Sequence, residues 1–291
     1  MKNTKKNISI EKLHPFENHP YKVQDDEEME HLAESICENG IVTPVIVRQL
    51  ENTTDEYEII SGHRRVMASR KAGITEIPAL VVSLDRDAAA IVLVDSNLHR
   101  EHILPSEKAF AYKMKLDAMK HQGWRSDLTS GQIVPKSDNN RTTAKIGEDM
   151  GESYKTVQRY IRLTYLIPEF LEQMDEGRIA FSVGVELSYL NEQAQYDVLE
   201  QCEMNDCTPS YSQAFRLHKA EREGRLTKAV IEGIMGEEKA NQKEKVSFKY
   251  EEIKRFFPKN YTLADIQKSI MKLIEANHMR RQRKRSERDE R

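Results

Sequence analysis

Between Tyr57 and Lys71 the sequence changes period, and this change limits the fold more tightly than any other stretch. Tyr57 to Ile60 is a short apolar, β-prone run, whereas Val66 to Lys71 has no breaker and reads as helix. A strand must feed a helix through Ser61 and Gly62. Gly62 can take a positive φ and lets a ligand approach the backbone, while Arg64 and Arg65 supply rigid multi-donor heads suited to phosphate oxygens. The open N–H groups of the following helix favour an anion at the same spot. These residues point to an anion or phosphate pocket, and they are also compatible with an ordinary turn carrying solvated arginines.

At 291 residues the chain is too long for one small core and fits two or three compact units. Charged residues make up 32% and hydrophobic ones 38%, so much of the length should be surface-rich helix. The formal charge of -3 hides local asymmetry, acidic from Asp25 to Glu30 and basic from Arg280 to Arg285. Whole-chain charge therefore argues neither for nor against nucleic acid. Cys37, Cys202 and Cys207 form no ligand-like cluster and fit reduced thiols in the cytoplasm. No signal-peptide core opens the chain, and no run approaches the roughly 18 apolar residues of a membrane span.

Read in order, residues 1 to 7 look like a frayed polar tail and Ile8 to Leu13 a first strand. A helix is expected from Met29 to Glu38, stopped by Asn39 and Gly40. Ile41 to Val47 and Glu56 to Ile60 suit a hairpin, and Ile77 to Val82 a further strand with Pro78 near its start or at an edge. Helices are expected at Asp87 to Val94 and from Leu104 onward, then a loop or hinge from Gln122 to Asn140. Gly233 to Lys245 reads as a linker, and the apolar residues Ile253, Phe256, Phe257, Ile266, Ile270, Leu273 and Ile274 as a final small helical piece suited to self-association.

A second informative window runs from Thr142 to Leu163. Ile146 and Met150 share one helical face, Gly151 permits a sharp turn, Ser153 can cap the next helix, and Val157 with Ile161 restores the spacing. Two short helices joined this way make a helix-turn-helix. Thr156, Gln158 and Arg159 are the candidates for base edges; Ser153, Lys155 and Arg162 complete the expected DNA-binding set, the last two as phosphate contacts. A plain helical hairpin is the other reading of the same spacing.

Three windows, in order, resemble the bacterial ParB/Spo0J/Noc family of partition proteins. Leu32 to Pro44 resembles its first nucleotide-pocket segment, Ser61 to Ala68 its glycine-glutamate-arginine-arginine box, and Ser96 to Glu107 its asparagine-leucine-x-arginine segment. The resemblance covers about residues 8 to 200. It implies an α+β chain with a small mixed α/β ParB-like nucleotide-binding domain at 8–95, connecting helices and hinge at 96–141 and an all-helical helix-turn-helix domain at 142–230; the residues themselves add a linker at 231–247 and a helical segment with a basic tail at 248–291.

The same resemblance implies CTP with Mg²⁺, weak CTP hydrolysis, a homodimer closing as a clamp on double-stranded DNA with a palindromic site, a ParA-like ATPase partner, and a place on the nucleoid. Gly62, His63, Arg64 and Arg65 would surround the phosphates, Thr43 and Pro44 would line the pocket, Asn97 would stand near the metal, and Arg100 would link the site to moving helices. His63 stands where the family has glutamate, as does Ser96 before Asn97. The second change removes a carboxylate beside the metal and argues against turnover. A transcriptional regulator using the fold without nucleotide switching is the alternative. A sulfiredoxin-type reductase is disfavoured because Gly62 occupies the place of the reactive cysteine.

Overall fold

The computed structural model describes residues 3–97, 102–130, 139–237 and parts of 253–279. Residues 1–237 form one compact unit and 238–291 another. The first unit begins with strand β1 (Thr4–Ser9), a 3₁₀ turn at Ile10–Lys12 and strand β2 (Leu13–His14). Helix α1 (Glu27–Asn39) and the hairpin of β3 (Val45–Gln49) with β4 (Tyr57–Ser61) follow. Then come α2 (His63–Lys71), β5 (Glu76–Val82) and α3 (Arg86–Asn97). The mixed sheet has the order β1-β5-β3-β4-β2, with β5 returning parallel to β3.

Period-two alternation sorts the strands between two layers. Val45, Val47, Tyr57 and Ile59 face one core with Ile8, Val66 and Ile77. Ile60 faces the other, where Ala89, Leu93 and Val94 of α3 meet Ala111 and Ala118. Arg48 and Glu58 are register partners on β3 and β4, their side chains each 5% exposed, with Nε donating to Oε2 at 2.6 Å. Pro78 lies one residue before β5 starts pairing with β3, so its missing N–H costs no bond there.

The connecting helix is α4 (Pro105–Ser130), on which α5 (Asn139–Met150) and α6 (Tyr154–Leu163) are mounted. Tyr112 and Leu116 of α4 share a core with Ile146 and Val157. Behind them α7 (Pro168–Asp175), α8 (Phe181–Leu187), α9 (Glu192–Met204), α10 (Tyr211–Arg222) and α11 (Lys228–Met235) enclose a larger core around Phe170, Leu187, Val198 and Leu217. In the second unit, residues 268–276 are helical.

Four expectations need correction. Residues 4–7 are part of an edge strand whose side chains are exposed, which is why they read as a tail. Ile8 to Leu13 is not one strand, because the 3₁₀ turn separates β1 from β2. Residues 122–130 continue α4 rather than opening a hinge, while 131–138 lie outside the described residues. The linker does not begin at 231: Ile231, Ile234 and Met235 are buried in the helical core, capped by Thr227 Oγ1 accepting from Val230 N.

Candidate anion pocket and DNA-reading helix

β4 ends at Ser61, and Gly62 turns the chain with φ +106° before α2 begins at His63. A Cβ at Gly62 would lie 2.8 Å from Val45 Cγ1 and 3.0 Å from Arg65 Nη2, so the turn has room for glycine alone. Gly62, His63, Arg64 and Asn97 line one small cavity together with His19, Tyr21, Lys22 and Val23. The cavity measures about 20 Å³, room for about one water. Four cationic or protonatable side chains (His19, Lys22, His63, Arg64) therefore converge on one helix start.

The sequence did not single out the loop from His19 to Val23. His19 Nδ1 donates to Tyr21 O at 2.7 Å, and its ring lies against that of His63 with centroids 3.9 Å apart and the planes tilted by 44°. Phe16 N donates to His63 Nε2 at 3.4 Å. Lys22 N donates to Glu107 Oε1 at 2.8 Å and Lys22 Nζ meets Asp175 Oδ2 at 3.3 Å, so α4 and α7 hold the loop. The Asp175 carboxylate also accepts from Ser106 N and Ser106 Oγ, at 3.0 and 2.5 Å. The only signal in the sequence was the cluster of His19, Pro20 and Tyr21 after a proline-broken strand.

The two arginines separate. Arg64 Nη2 donates to Glu28 Oε2 at 3.1 Å and stands 3.8 Å from Asp26 Oδ1, both at the start of α1. Arg65 turns the other way: its Nη1 donates to Thr43 O and, at 3.2 Å, to Pro44 O. Partial burial pulls the Arg65 guanidinium below its ordinary pKa. Thr43 and Pro44 are thus tied to the turn through Arg65 and are not among the residues lining the cavity. Asn97 is buried and donates from Nδ2 to Leu93 O at 2.8 Å, which leaves Oδ1 as its oxygen donor toward a cation. Ser96 Oγ is turned back to Leu93 O at 3.0 Å. Among the described residues no group of three or more His, Cys, Asp or Glu is arranged to hold a metal, so a magnesium ion here would draw its other ligands from phosphate and water. Arg100 lies outside the described residues.

The helix-turn-helix is closed by backbone geometry. Gly151 adopts φ +66°, Glu152 N donates to Gly147 O at 2.8 Å, and Ser153 Oγ accepts from Thr156 N at 3.1 Å as the cap of α6. Tyr154, Lys155 and Arg159 are exposed on α6, with Thr156 and Gln158 half-buried beside them. The Arg159 guanidinium lies 4.9 Å from the centre of the Phe181 ring, a cation–π contact that positions the head of this exposed residue.

Arg162 is placed differently from the expected phosphate contact. Its guanidinium sits between the rings of Tyr165 and Tyr189, at 4.5 and 4.2 Å, and Nη2 donates to Ser188 O at 2.6 Å. Its Nε is buried without a hydrogen-bond partner among the described residues. The head braces the end of α6 against the turn after α8. Arg162→Ala is expected to lower stability by about 2 kcal/mol, through the lost carbonyl bond and aromatic sandwich. It should weaken duplex binding less than Arg159→Ala does, as thermal unfolding and fluorescence anisotropy on the same duplex would show.

The family model described as ParB N-terminal domain matches residues 1–98. This defines the class of the first part of the chain: a ParB-like α/β domain feeding a helical region. Over 176 residues the chain is 33% identical to the probable chromosome 1-partitioning protein ParB of Deinococcus radiodurans, covering 60% of this chain and 52% of that protein. Identity is 32% over 173 residues with the chromosome-partitioning protein Spo0J of Thermus thermophilus, covering 59% and 55%. A nucleoid occlusion protein of Bacillus mycoides is 31% identical over 196 residues, covering 67% and 60%. Residues 1–98 therefore match a ParB N-terminal domain, and the longer alignments show similarity to partition and nucleoid occlusion proteins. It spans about half the length of the first two of these relatives. A solved structure of C-terminally truncated ParB from Caulobacter crescentus, complexed to the centromeric parS site, aligns with 79% of this chain and 98% of its own at 21% identity and a TM-score of 0.42. Another, complexed with CTP-gamma-S, aligns with 68% and 98% at 24% identity and a TM-score of 0.32.

Proposed function

We propose that this chain is a sequence-specific DNA-binding partition protein of a chromosome, plasmid or integrated mobile element, acting on the nucleoid in the cytoplasm. The observation that carries the reading is the exposed face of α6, with Tyr154, Lys155 and Arg159 raised on a capped turn behind a ParB N-terminal domain. Arg159 and Gln158 suit base edges in the major groove, and Lys155 suits phosphate. One such helix reads a short half-site, so the target is a palindrome and the working form a homodimer. Exposed Met271, Leu273 and Ile274 on the helix at 268–276 offer an apolar contact between two copies. No helix among the described residues is long and apolar enough to cross a membrane.

The same proposal gives the first domain, 8–95 with Asn97 from the connecting segment, the binding of CTP with Mg²⁺ as a gate on a DNA clamp, and assigns a ParA-like ATPase as partner. What supports it is the match of residues 1–98 to the ParB N-terminal domain together with Gly62 and the convergence of His19, Lys22, His63 and Arg64. A transcriptional regulator without nucleotide switching is the second reading. It is favoured by the cavity of about 20 Å³, since small-molecule sites ordinarily run from about 300 to 1,000 Å³.

Selection from a random duplex pool, with and without Mg-CTP, tests these readings together. The expected result is enrichment of an inverted repeat, lost in Gln158→Ala/Arg159→Ala, with CTP altering retention on circular DNA carrying that repeat. Absence of enrichment would refute the DNA-reading function. Enrichment with retention indifferent to CTP would leave the regulator.

A further inference from the structure

Among the described residues, the one arginine that lines the candidate phosphate cavity is already engaged with anions of the same chain. Arg64 Nη2 faces Glu28 Oε2 at 3.1 Å and Asp26 Oδ1 at 3.8 Å. Both carboxylates belong to the acidic entry of α1, where Asp26 is the N-cap, its Oδ1 accepting from Met29 N at 2.9 Å. Farther along the same helix pair, Lys71 of α2 meets Asp25 and Glu30. Lys71 does not line the cavity. A guanidinium fork takes a carboxylate or a phosphate with the same donor geometry, so the two compete for one head.

We propose that Asp26 and Glu28 form an internal competitor for the anionic ligand of this site, holding Arg64 away from phosphate until a polyanion displaces them. The inference rests on the phosphate-pocket reading and adds its regulation. Glu28 is 78% and Asp26 40% exposed, so solvent screens the contact and a ligand of three or four negative charges can displace it. The N-cap bond survives the exchange, because a capping oxygen needs no net charge. The latch therefore sets an affinity threshold without unfolding α1. The small size of the cavity agrees with a site held shut by its own side chains.

The test is calorimetric titration of the full chain with Mg-CTP and with inorganic tripolyphosphate, at low salt and at about 0.5 M NaCl, where exposed pairs are screened. Asp26→Asn/Glu28→Gln keeps the cap and removes both charges. It should bind both probes about five- to tenfold more tightly than the wild type at low salt, with the gap closing at high salt. Placed on Arg64→Ala, the same pair of substitutions should give no tightening, since the head they compete for is gone. Glu30→Gln removes one charge from the neighbouring Lys71 contact and should change affinity less than about twofold. Thermal unfolding of each variant checks that it is folded.

Equal affinity of wild type and double variant would overturn the latch and leave the pocket standing. Equal tightening by Glu30→Gln, or tightening that persists without Arg64, would overturn it as a mere change of field. Binding by the double variant alone would support the latch in its strongest form. No binding of either probe by any folded variant would overturn both the latch and the pocket.

Discussion

Replacing Lys115 by alanine should lower the unfolding free energy by about 3 kcal/mol. Lys115 lies on α4 with its side chain 2% exposed, and its Nζ meets Asp95 of α3 at 2.8 Å and Asp149 of α5 at 3.0 Å. One ammonium thus joins the helix that ends at Asn97 to the first helix of the DNA-reading pair. Alanine removes the ammonium and the buried stem together, leaving a cavity and two carboxylates without their shared cation. The carboxylates are 43% and 44% exposed and can rehydrate, which keeps the loss well below that of a fully buried triad. Lys115→Met keeps most of the volume and should lose about half as much. Urea unfolding of the three proteins would check the order; a methionine variant less stable than the alanine variant would contradict it. Duplex affinity should fall with stability, because α5 loses a tie to α4.

Gly147→Ala is expected to lower stability by about 2 kcal/mol and duplex affinity by about tenfold. The helix-turn-helix folds back so closely that a Cβ at Gly147 would stand 2.5 Å from the backbone oxygen of Glu152. Backbone cannot swing aside as the end of a flexible side chain can. The Glu152 carboxylate is also tied, accepting from Lys108 Nζ and from Tyr112 Oη at 3.0 Å. Burial, followed by the charge of Glu152, pushes the Tyr112 hydroxyl above its ordinary pKa, so the phenol stays a donor. The helix preference gained by alanine, up to about 1 kcal/mol, offsets only part of the strain. Gly151→Ala is the informative partner: φ is +66° there, yet nothing lies within 4 Å of the added carbon. Its loss should be about 1 kcal/mol, from backbone conformation alone. Differential scanning calorimetry would separate the two, and a larger loss at Gly151 would refute the close-approach argument.

Where neighbours in sequence are neighbours in space, the reading from residues succeeded. The strand from Tyr57 into the Gly62 turn, the stop of α1 at Gly40 and the Ser153 cap all depend on contacts within a few residues. The failures share a different cause. β1 carries two lysines and an asparagine on an exposed edge, the composition that protects edges and also marks tails. Gly233 made α11 look like linker, although Thr227 caps it and its apolar face is covered by α9 and α10. At the site, Gly62, His63, Arg64 and Asn97 line one cavity, while Arg65 braces Thr43 and Pro44 instead of lining it. The fate of Arg162 depended on Tyr189, 27 positions onward, and no local pattern reveals such a partner.

The Arg48–Glu58 pair carries a consequence for how the chain finds its topology. Charges of opposite sign facing each other across β3 and β4 satisfy one another in a single register. Sliding β4 by one residue would turn Glu58 toward Val45 and Val47, and leave Arg48 buried without its partner. Such a misaligned hairpin would be costlier than one with an apolar pair at the same positions, because each stranded ion has lost its water. The pair works as a key that rejects wrong pairings while the sheet assembles. β4 runs directly into Gly62, so the same key fixes the point at which His63 and Arg64 leave the sheet.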